Sequence, residues 1–131
     1  MGESGSGKSI TTLSMLNLLP KNAVISGEVF FKGKNIFNFS KNELQNFRGS
    51  KISAIFQEPG RSFDPIYSIE KTFQETLLTH NKNLTKKEVY EKTIKSLNEV
   101  HIPQPEERIK NFPHQFSGGL LQRIMIALAL V

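Results

Sequence analysis

Gly2-Glu3-Ser4-Gly5-Ser6-Gly7-Lys8-Ser9 runs directly into Ile10, Leu13, Leu16 and Leu19 at helical spacing, and reading the two stretches together decides the fold. The densely charged phosphates of a nucleotide are held at least cost by backbone N–H groups at a helix N-terminus, where the peptide dipoles already favour anions. Gly2, Gly5 and Gly7 let the backbone curl around such a group. Lys8 then places a point charge between β- and γ-phosphates, and the Ser9 hydroxyl is positioned to ligate Mg²⁺. A flexible Gly/Ser linker is the alternative for Glu3 to Ser6. The amphipathic run behind it, which Pro20 ends, argues for the loop instead. Such a loop normally hangs from the end of a buried strand, yet only Met1 precedes Gly2. The strand is therefore expected outside these residues, or this start is not the natural one.

Length and composition narrow the class. A chain of 131 residues supplies one domain at most, burying roughly two thirds of its unfolded surface. There is no run of 18 apolar residues and no basic-then-apolar leader, which predicts a cytosolic chain without direct membrane insertion. The absence of cysteine excludes disulfides and thiolate metal sites, and the three histidines, His80, His101 and His114, are too scattered for a zinc site. His80 and His101 read as surface residues, and His114 as packing or capping locally. The net charge of +5 raises nucleic acid or anionic lipid as partners, but the lysines are spread along the chain. Lys82 with Lys86 and Lys87 reads as a solvated helix start, so no nucleic-acid partner is expected.

The rest alternates short strands and helices. Residues 23 to 37, with the turn Lys32-Gly33-Lys34-Asn35, predict an antiparallel hairpin. Ser40 with Glu43 predicts a capping box opening a short helix that Gly49 can end. Lys51 to Phe56 predicts a strand buried on both faces. Ile69, Phe73 and Leu77 mark a helix over 68 to 79, and Thr85 with Glu88 caps another carrying Tyr90, Ile94, Leu97 and His101. Pro103 and Pro105 break that helix, and a turn follows around Glu106 to Lys110. A last helix then starts at Ser117-Gly118-Gly119 with Ile124, Leu128 and Val131 on one stripe.

Two further motifs sit in fixed order behind the loop: Phe56-Gln57-Glu58-Pro59 mid-chain and Phe116-Ser117-Gly118-Gly119 near the end. Alone, Gln57 is a solvated polar residue at a strand end, and Ser117-Gly118-Gly119 is a loop or an ordinary N-cap. The joint order carries the case. With Walker A at Gly2 to Ser9, the chain resembles the ATP-binding subunit of an ABC transporter, in the oligopeptide, dipeptide and nickel importer group. Arg48 through Pro59 resembles that group's segment ending in Phe-Gln-Asp/Glu-Pro, and Ser62-Phe63-Asp64-Pro65 its Ser-Leu-Asn-Pro. Phe112-Pro113-His114-Gln115-Phe116-Ser117-Gly118-Gly119 is similar to its Tyr-Pro-His-Gln-Leu-Ser-Gly-Gly, with Gln122-Arg123 and Ile126-Ala127 continuing the signature helix.

The resemblance implies an α/β fold: a partial RecA-like P-loop NTPase core with an antiparallel β hairpin and a helical subdomain. Residues 1–65 would hold the P-loop, β subdomain and Q-loop, and residues 66–131 the helical subdomain and signature helix. It implies ATP and Mg²⁺ bound by Gly2, Glu3, Ser4, Gly5, Ser6, Gly7, Lys8 and Ser9, with Gln57 reaching the metal and the attacking water. Lys8 and Gln57 would carry the catalytic roles, and Ser117, Gly118 and Gly119 would close on the γ-phosphate held by a second ATPase subunit, identical or paralogous. Integral membrane permease subunits are the implied partners, docking near Phe63 to Phe73, and the location is the cytoplasmic face of the membrane, peripherally.

Two departures stand out. The signature continues with glutamine in the family and with Leu120 here, which puts the contact across subunits in doubt. The family's Walker B strand with its Asp-Glu pair and its switch histidine follow the signature helix, and its adenine-stacking aromatic precedes the loop. None lies within these residues, so the resemblance implies truncation at both ends, very slow hydrolysis by the 131 residues alone, and marginal folding. A truncated non-catalytic remnant is the rival reading, and nickel the rival cargo to peptides. A DNA-repair or chromosome ATPase of the same superfamily is disfavoured, because Ser117 follows Lys8 by only 109 residues, too few for the long insertions such proteins carry.

Overall fold

The computed structural model describes residues 7–20, 22–55 and 57–131, and the chain divides into two compact units, Met1–Ile52 and Ser53–Val131.

In the first unit, helix α1 spans Lys8–Met15. Asn17 turns left-handed after it (φ 52), and two backbone bonds close the end, Asn17 N–H to Ser14 O at 2.9 Å and Leu18 N–H to Leu13 O at 2.9 Å. This is a Schellman ending, reached before Pro20 can act. Of the expected stripe, Leu16 is buried, Leu13 and Leu19 are half-buried, and Ile10 is 63% exposed. The hairpin is real but shorter than the expected 23 to 37. Strands β1 (Phe30–Phe31) and β2 (Lys34–Asn35) pair antiparallel across Lys32 and Gly33, both at positive φ as a two-residue type I′ turn requires. Val29 O still accepts from Ile36 N–H at 2.8 Å, but Ala23 to Glu28 pairs with no strand among the described residues, and Val24 is 96% exposed. Helix α2 spans Lys41–Ser50 behind the expected capping box, Glu43 N–H donating to Ser40 Oγ and Ser40 N–H to the Glu43 carboxylate. Gly49 lies inside α2 rather than ending it. Phe47 is buried, with the Phe31 and Phe39 rings edge-on to it at 5.0 and 5.6 Å.

The second unit is a helical cluster. Helix α3 (Ile69–His80) has Ser68 as its N-cap and buries Ile69, Phe73 and Leu77, as the spacing predicted. Its orphan N–H groups are taken by a neighbouring loop, Ile69 N–H donating to Asn111 O at 3.0 Å and Glu70 N–H to Ile109 O at 2.7 Å. Helix α4 (Lys86–Glu99) starts at the Thr85–Glu88 capping box, and of the residues expected along it Leu97 is buried and Ile94 half-buried. Val89, Thr93, Ser96 and Leu97 are buried, whereas Tyr90 is exposed. His101 has left the helix at φ 58 and closes a second Schellman ending, with Ile102 N–H on Leu97 O. The turn after Pro103 includes one short helix, α5 (Pro105–Arg108). Helix α6 (Gly118–Leu130) buries Leu121, Ile124, Met125 and Ala127 and joins Phe63, Phe73, Leu97 and Phe116 in one apolar core. Val131 lies beyond its end, so the expected stripe shifts toward Leu121 and Met125.

The predicted strand from Lys51 to Phe56 does not form over its described residues: 52–55 are irregular, Ile55 is exposed, and Phe56 lies outside the described residues. A strand needs a paired neighbour to satisfy its backbone. Here Ser53 meets a helix end instead, its hydroxyl donating to Ala129 O at 3.3 Å.

Glu43 and Glu88 both sit below the usual carboxylate range, because each accepts the N-cap residue's backbone N–H first and its side chain second.

Candidate phosphate-binding site

Gly2, Glu3, Ser4, Gly5 and Ser6 lie outside the described residues, as does the Lys8 side chain. What the structure describes is the exit of the loop. Gly7 is left-handed (φ 81, ψ 6) and serves as the N-cap of α1, whose first two residues are Lys8 and Ser9. Among the described residues no side chain caps this helix, whereas α2, α3, α4 and α6 each begin with a serine or threonine that accepts a first-turn N–H. Ser9 is exposed in the first turn of α1, where a helix start favours an anion. Thr11 anchors the exit, its N–H and its hydroxyl both donating to Gly7 O at 2.9 Å. Thr11 was not singled out from sequence, although a threonine four residues after a cap is the available signal.

The second group lies in the second unit. Ser117 is the N-cap of α6, its Oγ accepting from Leu120 N–H at 3.4 Å. An accepting hydroxyl still has its proton to donate, so the Ser117 O–H remains able to bond a phosphate oxygen. Gly118 and Gly119 are exposed, their φ values are ordinary, and a Cβ at either would meet no atom within 4 Å. Nothing among the described residues demands glycine there, although each costs about 0.5–1 kcal/mol against alanine in a helix. Gly7 differs, because its left-handed backbone conformation itself disfavours a side chain. Leu120, the departure from the family signature, is half-buried and packs against the apolar core. Its side chain is spent on packing.

Gln57 is exposed after the irregular segment rather than at a strand end, and Glu58 behind it pairs with Arg61 at 2.8 Å. Phe63 and Phe73, expected to flank a docking groove, are core residues instead, and Ile66 between them is 71% exposed. His80 and His101 are exposed. His114 is exposed as well, its ring stacked on Phe112 at 5.9 Å.

The ordering of an uncapped helix behind Gly7 and a glycine-opened helix behind Ser117 is that of a nucleotide-binding cassette. The ABC transporter family profile matches residues 1–131, and the chain belongs to that family. It is 46% identical to the dipeptide transport ATP-binding protein DppD of Lactococcus lactis, over 99% of this chain and 38% of that protein. It is 42% identical to the oligopeptide transport ATP-binding protein OppD of Escherichia coli, over 100% of this chain and 39% of that protein. The chain thus spans about two fifths of the length of these relatives. Among solved structures it is similar to the dimeric bacterial ABC transporter cassette MJ0796, with a TM-score of 0.81 and 26% identity, covering 99% of this chain and 53% of that one. A second structure of the same cassette, in a post-hydrolysis state bound to ADP and Pi, matches equally well. These neighbours place the chain in the P-loop NTPase fold class, to which its helices and two-stranded antiparallel sheet correspond as a part.

Proposed function

We propose that this chain is the part of an ABC importer's ATP-binding subunit that holds ATP, and that the whole subunit couples ATP binding and hydrolysis to the transport of peptides. The observation that carries the reading is α1, which begins on left-handed Gly7, has no side-chain cap among the described residues and carries Lys8 and Ser9 in its first turn. The peptide-transport names of the relatives favour peptides over nickel as cargo.

In this reading residues 1–65 carry the P-loop, β subdomain and Q-loop, and residues 66–131 the helical subdomain and signature helix. The amides of Gly2 to Ser9 and the Lys8 ammonium bind the phosphates. Ser9 and Gln57 would hold Mg²⁺, which when bound neutralises phosphate charge; that both are exposed fits the role. Gln57 orients the attacking water. Ser117, Gly118 and Gly119 close on the γ-phosphate held by a second ATPase subunit, their missing side chains allowing backbone amides to approach. Packing by Leu120 means that this closure relies on Ser117 and the two amides, without a glutamine side chain. The subunit works at the cytoplasmic face of a membrane against integral permease subunits, and exposed Ile66 is the residue offered to them. Among the described residues no helix is long and apolar enough to cross a membrane itself.

Calorimetric titration of the protein with ATP and Mg²⁺ tests the reading. Saturable binding that Lys8→Ala abolishes is expected. Equal binding by both proteins, or none by either, would sink it. The 131-residue polypeptide alone should turn ATP over very slowly, since its residues include no Asp-Glu pair to polarise the water. Brisk turnover that Lys8→Ala removes would contradict this part.

A further inference from the structure

Arg48, in the last turn of α2, reaches the far end of α1 across 32 residues of sequence. The Schellman ending of α1 satisfies the carbonyls of Leu13 and Ser14. The carbonyls of Leu16 and Asn17 lie beyond it, and the guanidinium takes both: Nε donates to Leu16 O at 2.8 Å and Nη2 donates to Asn17 O. A planar fork reaches two acceptors at once, which an ammonium cannot reproduce, and a cation at a helix C-terminus also opposes the helix dipole favourably.

We propose that Arg48 is a positioning residue for the nucleotide site. It fixes the C-terminal end of α1 so that Gly7, Lys8 and Ser9 at the other end present their amides at a set place. The proposal rests on the reading of α1 as the helix behind a phosphate loop. Its physical basis is the shortness of α1: eight residues, about 12 Å, with Leu16 at its C-terminus as the fully buried apolar anchor. A short hydrogen-bonded helix moves as a rigid rod, so a displacement of its gripped end is passed to its loop end. The gripping element is itself fixed, because α2 is tied by the Ser40–Glu43 capping box and by Phe47 against Phe31 and Phe39.

The test compares the wild-type protein with Arg48→Ala, Arg48→Lys and, as a destabilising control in the same unit, Ile36→Val, which trims a buried side chain outside α1 and α2. Affinity for a fluorescent ATP analogue with Mg²⁺ is read together with thermal midpoint and amide hydrogen exchange. Arg48→Ala should weaken binding roughly tenfold, the equivalent of one charge-assisted hydrogen bond, and Arg48→Lys should recover part of it. Ile36→Val should lower the midpoint and leave affinity unchanged. Wild-type affinity in Arg48→Ala, or an equal loss in Ile36→Val, overturns the proposal. If the wild-type protein binds no nucleotide, the ATP reading fails and exchange still decides on Arg48. Selective acceleration at 11–16 in Arg48→Ala, absent in Ile36→Val, supports its grip on α1, and unchanged exchange there overturns it.

Discussion

Helices α1 and α6 both begin at glycine-bearing motifs, and they are held in opposite ways. Helix α6 is seated: it buries Leu121, Ile124, Met125 and Ala127, and Ser117 caps its start. Helix α1 has a left-handed glycine for a cap, exposes Ile10, and is gripped from behind by Arg48. In the proposed reading the difference follows from the chemistry asked of each. A helix that takes phosphates on its own amides keeps them free of side chains and so gives up the local cap. A helix that supplies a serine and two bare amides can be capped and buried along its length first.

The largest expected effect separates the two helices by packing. Ile124→Ala on α6 removes a fully buried side chain and should cost about 2–5 kcal/mol in denaturant unfolding, whereas Ile10→Ala on α1 should stay within about 0.5 kcal/mol. Equal costs would erase the contrast. The glycines sharpen it further. Gly7→Ala forces a side chain into positive φ and should destabilise by about 1–2 kcal/mol, while Gly119→Ala, with open space around it, should stabilise by about 0.5–1 kcal/mol. Thermal melts read both signs, and a destabilising Gly119→Ala would mean that the fold itself needs this glycine. Removing the α6 cap by Ser117→Ala should cost about 1 kcal/mol, seen in the same melts.

The smallest effect concerns acid. Glu43 and Glu88 are held below their ordinary range by the N-cap bonds, so in the folded chain they bind fewer protons than when unfolded. Their contribution is complete above the ordinary glutamate range and fades as pH falls through the lowered folded values. Helix content followed by circular dichroism should therefore drop modestly on acidification, and less in a Ser40→Ala, Thr85→Ala double variant. Helicity that rises with acid, or a drop equal in both proteins, contradicts the capping account.

Local signals were the legible ones. Ser40 with Glu43, Thr85 with Glu88, and Ser68 before Ile69, Phe73 and Leu77 fixed their helices because caps and stripes are written in adjacent residues. The inward face of α4 is less legible, because two of its four buried residues are polar. Thr93 and Ser96 go inside by donating their hydroxyls to Val89 O at 2.7 Å and Thr93 O at 2.9 Å, which removes the cost of burying them. The strand expected from Lys51 failed for the opposite reason: apolar content suits a strand, but a strand exists only with a partner. Within the candidate site, the Gly7 exit and the Ser117 cap could be read from motif order. The bonds from Arg48 to Leu16 and Asn17 could not, since no sequence pattern announces a side chain bridging that distance along the chain.

The most direct test of the central claim is a backbone-amide NMR titration of the protein with ATP and Mg²⁺. The account predicts that the largest shift changes fall on Gly7, Lys8, Ser9 and Ile10, where first-turn amides stand without a side-chain cap, and that Lys8→Ala abolishes them. Shifts confined to α3 and α4, or none at Gly7 to Ile10 at saturating nucleotide, would contradict it.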